Sequence, residues 1–342
     1  MFWQYLLAAE LPAHRSREIV EALGASRVEP VSFLRTAANL TPAELKRLDN
    51  VDTKALERAL ALGVKVVTEA GMGHSLLESP SPPPALFAWG ETDCLKSPMV
   101  AIVGTRGATT YGKAVAQKFA ESFVRAGLTV VSGGAIGIDR YAHEGALEAG
   151  GKTVVVLANG VEHAQPPQNK PLFERVRTSG CLVSPFAVGT PSMAHKFRPR
   201  NELIAAMCLG VVVVEAPAES GALMACGAAA DMGREVFVVP GPINLPSYHG
   251  SHELIRDGAT LVSIPDQVLR ALDFQPASQN KALVNLTEVQ ESIMAGLTAE
   301  PRPAGQIESN SDLSTSELMA ELTTMEIEGL IIHNDLGYAI KP

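Results

Sequence analysis

Within five residues, Lys196-Phe197-Arg198-Pro199-Arg200 places three cations around an aromatic ring, and Asn201 follows. Cationic side chains neutralise phosphates and a ring stacks on a base, so this segment has the chemistry of an unpaired polynucleotide site. Arg200 and Asn201 then open an apolar stretch, Leu203, Ile204 and Met207, spaced as one face of a helix.

Three further segments carry related chemistry. Val103-Gly104-Thr105-Arg106 is an apolar run ending in glycine and an arginine whose fork suits a phosphate. Ser132-Gly133-Gly134-Ala135-Ile136-Gly137 precedes Ile138-Asp139, and small residues opening a helix can present backbone amides to an anion. Glu215 to Gly221 ends in Ser220-Gly221, again at a helix start. Lys170 is a further candidate by charge and position. Asp139 and His143, four apart, could pair as a dyad or serve as structural hydrogen-bond partners. Glu219 reads as a base or as a cap. The chain has no GxGxxG fingerprint, Walker lysine loop, HExxH or nucleophile elbow, so a dinucleotide site, catalytic residues and a metal site find no support.

These segments need a frame. Apolar, β-branched runs at 99–103, 128–131, 153–157, 211–214 and 236–239 alternate with helical stretches, one of them carrying Tyr111, Val115, Phe119 and Phe123. That alternation predicts an α/β domain with a doubly wound parallel sheet from about 85 to 270, and ligands of such sheets bind beyond the carboxyl ends of the strands. The first seventy or so residues read as short helices, with a capping box at Thr41–Glu44 and a cap at Asp52. The proline run around 80–84 marks a boundary. A polar linker at 272–286 leads to capped helices at Thr287 and Ser314. Gly329 reads as a helix stop, and a hairpin signal around Asn334–Gly337 suggests a winged helix.

The chain has 342 residues, 46% of them hydrophobic, which excludes a mostly disordered protein. No apolar run approaches a membrane span, and no signal peptide is read at the N-terminus. Cys94, Cys181, Cys208 and Cys226 lack paired spacing and fit a reducing, cytoplasmic setting as small buried hydrophobes. The net charge is −9, but residues 287–342 hold ten acids against two bases and so carry −8 of it. The rest is nearly neutral, and overall charge therefore leaves an anion-binding groove open. A winged helix that reads duplex DNA needs basic residues on its recognition helix. The stretch Ser314–Glu328 has four acids and no lysine or arginine, so it is expected to contact protein rather than DNA.

In order, VGTRGATTYG, SGGAIGIDRYAHEGAL, KFRPRNELIA, VVEAPAESGAL, GREVFVVPGP and GSHELIRDGA resemble the DNA-processing protein A (DprA/Smf) family over roughly residues 70–270. The resemblance implies an extended Rossmann-like domain at 76–272. It also implies a small helical (SAM/HhH-like) domain at 1–75, a linker at 273–286 and an acidic winged-helix domain at 287–342. It implies a non-enzymatic, homodimeric single-stranded-DNA-binding mediator that protects incoming DNA in natural transformation and loads RecA, with no cofactor. Carried onto this chain, the DNA contacts would be Arg106, Ser132, Gly133, Ala135, Gly137, Phe197, Arg200, Asn201, Ser220 and Gly221. Charge adds Lys170, Lys196 and Arg198. Family members often have arginine where Ile136 stands, RNR where this chain has Arg200-Asn201-Glu202, and Tyr-Pro where it has Gln165-Pro166. The alternatives are a nucleotide or phosphoribosyl hydrolase of the lysine-decarboxylase-like group and a mononucleotide sensor. The hydrolase would want a PGGxGTxxE loop, which Glu215–Gly221 does not supply.

Overall fold

The computed structural model describes residues 1–24, 28–36, 39–274, 287–298, 301–307, 313–327, 330–334 and 337–340. The chain forms two compact units, Met1–Ala277 and Ser278–Pro342.

The first unit is built on nine strands: β1 (Val64–Thr68), β2 (Ala85–Gly90), β3 (Met99–Val103), β4 (Thr129–Ser132), β5 (Thr153–Val156), β6 (Cys181–Ser184), β7 (Gly210–Val213), β8 (Glu235–Val238) and β9 (Thr260–Leu261). Their order in the sheet is β1-β2-β6-β5-β4-β3-β7-β8-β9. Strands β3 to β9 run parallel, whereas β2 is antiparallel to both β6 and β1. The parallel core matches the alternation in the sequence. Four strands were not legible there: β6 sets only Leu182 and Val183 between a cysteine and a serine, β9 is two residues long, β2 sits just behind the prolines, and β1 lies within the stretch expected to be helical.

The helices of this unit are α1 (Phe2–Ala8), α2 (Ala13–Gly24), α3 (Pro30–Thr36), α4 (Pro42–Asp49), α5 (Thr53–Ala61), α6 (His74–Leu77), α7 (Thr110–Arg125), α8 (Ile138–Glu148), α9 (Lys170–Ser179), α10 (Phe197–Met207), α11 (Ala222–Asp231), α12 (His249–Arg256) and α13 (Pro265–Ala271). Alternation along each strand sends its side chains to two separate cores. Met99, Ala101 and Val103 of β3 meet Leu203–Met207 of α10 and Cys226 and Ala229 of α11 on one face. Val100 and Ile102 meet α7 and α8 on the other. The buried stripe of α7 is Gly112, Ala116, Phe119, Ala120 and Phe123, and Tyr111 is half-exposed. Steps of four residues drift around a helix of 3.6 residues per turn, so a run at i, i+4, i+8 leaves the core face at its far end.

The helices before β1 have their own core of Leu6, Ile19, Phe33, Leu34 and Leu48. They also join the sheet, because Leu7, Ala55, Leu56 and Ala59 pack with Phe87, Val155 and Leu182. The Thr41–Glu44 capping box and the Asp52 cap are both formed.

In the second unit, α14 (Glu288–Gly296) starts with a capping box at Thr287, and α15 (Thr315–Ile327) is preceded by Ser314 bonded to Glu317. Strands β10 (Ile331–Asn334) and β11 (Gly337–Ile340) pair antiparallel, as the hairpin signal implies. The linker from 275 to 286, Gly329 and the turn at 335–336 lie outside the described residues.

Candidate nucleic-acid interface

Strand order reverses at β3: the chain builds β4, β5 and β6 on one side of it and then crosses to β7 on the other. Loops after β3 and β7 therefore diverge and leave a crevice at the carboxyl ends of the strands. Glu215, fully buried just past β7, spans that crevice. Its backbone carbonyl accepts from Thr105 N–H at 2.7 Å, and its Oε2 accepts from Thr109 N–H at 3.0 Å and the Thr109 hydroxyl at 2.9 Å. One residue thus holds both ends of the loop that carries Arg106. Gly137, with φ +84°, backs the same loop, since a Cβ there would lie 2.3 Å from the Thr105 oxygen. Only glycine fits this close approach.

Exposed Arg106 reaches the first turn of α10, with its guanidinium carbon 5.7 Å from the centre of the Phe197 ring. That of Arg200 is 5.4 Å from the same ring. Cation–π attraction holds the two like charges around one aromatic face system. Two hollows adjoin this cluster, and Arg106, Ala135, Phe197 and Arg200 line both. The first, about 390 Å³, is completed by Thr105, Asn201, Ser220 and Gly221 among others. The second, about 300 Å³, adds Gly133, Ile136, Asn159, Gln165, Gln168 and Ser192. Each is roomy enough for a base or a sugar-phosphate unit.

Arg200 is buried, and its Nη1 points at the Val156 carbonyl, 3.4 Å away. Burial lowers its pKa; the carboxylate of Asp139 opposes that shift and Arg106 adds to it. Burial likewise raises the Asp139 carboxyl, opposed by Arg200 and by bonds from the backbone N–H of Ala135 and Gly133. Those N–H groups donate to Asp139 Oδ2 at 3.3 and 3.2 Å. The amides expected to await an anion at Gly133 and Ala135 are therefore already occupied by a carboxylate. Arg200, threaded past Gly133, is the positive group this loop offers.

Several candidate residues lie elsewhere. Ser132 is fully buried and its hydroxyl donates to the Ile102 carbonyl at 2.6 Å, so it presents no surface. Lys196 is 3% exposed and bonds to Glu10 of the N-terminal helices, away from both hollows. A sequence position next to Phe197 does not fix direction, because the chain turns from a short 3-10 segment into α10 there. Arg198 is exposed and pairs with Glu202, the acid standing where the family often has arginine, at 3.1 Å. Lys170 is exposed at the first turn of α9, outside both hollows. Asn201 ties α10 to the next loop, donating to the Gly221 carbonyl at 3.0 Å. Asp139 and His143 do not pair: His143 Nδ1 lies 2.7 Å from the Thr153 hydroxyl.

Sequence reasoning missed Asn169, whose Nδ2 donates to the carbonyls of Gly134 at 2.9 Å and Ala135 at 3.1 Å. An asparagine just before Lys170-Pro171 signals a helix cap, and here its amide crosses to brace the glycine loop instead. Asn159 was equally unmarked, and Glu215 was named only as the start of the segment that ends in Ser220-Gly221.

Residues 52–273 match the family model described as DNA recombination-mediator protein A. The chain belongs to this family. Protein Smf of Escherichia coli (strain K12) is 34% identical over 278 residues, 77% of this chain and 73% of that protein. The X-ray structure of DNA processing protein A from Streptococcus pneumoniae superposes with a TM-score of 0.69 at 29% identity, covering 79% of this chain and 97% of that one. DNA processing protein A from Helicobacter pylori, solved for its single-stranded DNA binding mode, gives a TM-score of 0.56 at 26% identity over 62% of this chain and 98% of that one. The extended Rossmann-like fold expected from the motifs is thus the fold of the family.

Proposed function

We propose that this protein is a recombination mediator that binds single-stranded DNA across the two hollows. In this reading Phe197 stacks a base, and Arg106 and Arg200 neutralise the flanking phosphates. The observation that carries it is the Arg106–Phe197–Arg200 cluster standing between two base-sized hollows at the switch point of the sheet. Aromatic stacking with guanidinium support is the sequence-tolerant mode of holding an unpaired strand. Membership of the family and the single-stranded DNA binding of the Helicobacter pylori relative agree with this.

The finer assignment is that the protein acts in the cytoplasm as a homodimer, shields the incoming strand without catalysing a reaction, and passes it to RecA. The second unit, read as a winged helix, serves a protein contact: α15 carries Glu317, Glu321 and Glu326 and no basic residue. Phosphate binding needs the opposite charge.

Fluorescence titration with oligo(dT) of increasing length, across a salt series, tests the reading. The expected result is affinity that grows with length and falls with salt, and no turnover of nucleoside phosphates. Length-independent, salt-insensitive binding with turnover would replace the mediator by a nucleotide hydrolase. Protein ending near residue 280 is expected to bind equally or more tightly, and a marked loss would move the DNA contact to the acidic unit.

A further inference from the structure

The start of α10 is gripped from the side away from the hollows. Lys196, the residue before Phe197, is buried, bonds through Nζ to the Glu10 carboxylate and lies 4.7 Å above the Phe186 ring. Glu10 follows α1 with φ +53°, a conformation that non-glycine residues avoid unless something holds them there. Arg47 of α4 holds it, donating to the Ala9 carbonyl and standing 3.9 Å from Glu10 Oε2. In α1 itself, Gln4 is buried and fastens the far end of the segment that leads to Lys196. Its Nε2 donates to the Val188 carbonyl at 2.7 Å, and its Oε1 accepts from Val188 N–H at 3.0 Å. The stretch from Val188 to Lys196 is therefore pinned at both ends by α1 and its tail. Between the pins Ser192 lines the second hollow, and one residue beyond them Phe197 lines both.

We propose that Glu10 is a positioning residue for the DNA groove. Through Lys196 it fixes the first turn of α10, so the N-terminal helices set how firmly the Arg106–Phe197–Arg200 cluster grips a strand. This rests on the single-stranded DNA reading above and adds to it a job for the N-terminal segment. Simple electrostatics gives the opposite expectation: a Glu10 that masks a phosphate-binding Lys196 would, once neutralised, tighten binding and steepen its salt dependence.

The test uses the full chain with Glu10→Gln, Lys196→Met, the double variant and Arg106→Ala, each titrated with oligo(dT) at several salt concentrations. A positioning role makes Glu10→Gln and Lys196→Met each roughly three- to thirtyfold weaker, the size of coupling carried through packed networks. The double variant is then no weaker than the worse single. The slope of log affinity against log salt is unchanged in all three, because no phosphate contact is lost. Hydrogen exchange should quicken in residues 189–197 of Glu10→Gln and stay slow in α7. Unaltered or tighter binding by Glu10→Gln overturns the proposal, and so does a slope shallower by about 0.7 in Lys196→Met, which would make that lysine a direct contact. If Glu10→Gln is insoluble, Lys196→Met decides, since the Glu10 carboxylate it leaves behind is 36% exposed to water and keeps Arg47 at 3.9 Å. Arg106→Ala separates the two levels: wild-type affinity and slope in that variant would remove the groove itself, whatever Glu10 does.

Discussion

Arg200→Ala separates what this residue does for the fold from what it does for the ligand. The side chain is 7% exposed and is the cation that offsets the buried Asp139 carboxylate. The two attract through space without a direct ion-pair contact, so deleting Arg200 costs less than the about 3–5 kcal/mol of a broken buried salt bridge. With the amide bonds that Asp139 keeps from Gly133 and Ala135, the loss is about 1–2 kcal/mol, or roughly 2–6 °C in Tm. The deficit has a pH signature. Burial holds the Asp139 carboxyl above its ordinary 3.8, and losing Arg200 raises it further. A raised carboxyl lets the folded state bind a proton that the unfolded state has released. Stability attributable to Asp139 therefore falls as pH rises through that window and recovers on acidification. The deficit of Arg200→Ala is thus largest near neutral pH and shrinks toward pH 4. Adding Asp139→Asn should restore Tm at neutral pH, because the unpaired charge is gone, while oligo(dT) affinity stays low and the salt slope stays shallower by about 0.7. Thermal melts from pH 4 to 8 and the salt-series titration read the two effects on the same samples. A double variant that regains DNA affinity along with stability would show that Arg200 acts on the strand only by keeping the protein folded.

Gly133→Ala should imitate that loss of binding with a milder effect on stability, because its Cβ would fall 1.5 Å from Arg200 Nη1 and push the flexible guanidinium out of place; oligo(dT) affinity equal to wild type would refute it. His143 is buried and neutral, with burial pushing it down from 6.5 to about 3. The unfolded chain takes up that proton first, so stability is full above pH 6.5 and is lost as pH falls toward 3, by up to about 1.4 kcal/mol per pH unit. His143→Gln should flatten that limb in denaturant titrations, and an unchanged limb would assign the acid sensitivity to other groups.

The parallel sheet was legible because buried strands are continuous apolar runs and their crossover helices carry a stripe. The crevice followed from topology, and Arg106, Phe197 and Arg200 do meet there. What failed was direction and satisfaction. Lys196 shares its neighbours' charge pattern but belongs to a different contact, set by a turn at the start of α10 and by Glu10, 186 residues away in sequence. Glycine-loop amides looked available because Asp139, a few positions on, reads locally as a partner for His143 four residues further along. Only the folded loop turns its carboxylate back onto Gly133 and Ala135. Cys94 and Cys181 have no paired spacing, yet the fold brings their sulfurs to 3.5 Å as buried free thiols. Long-range pairings of this kind leave no periodicity to read.

Photo-cross-linking of iododeoxyuridine-substituted oligo(dT) to the full chain, followed by peptide mass spectrometry, locates the strand without any mutation. The expected adducts are on Phe197 and on peptides spanning Arg106 and Ser220–Gly221. Adducts confined to the N-terminal helices or to residues 287–342, with none on Phe197, would show that the strand lies elsewhere.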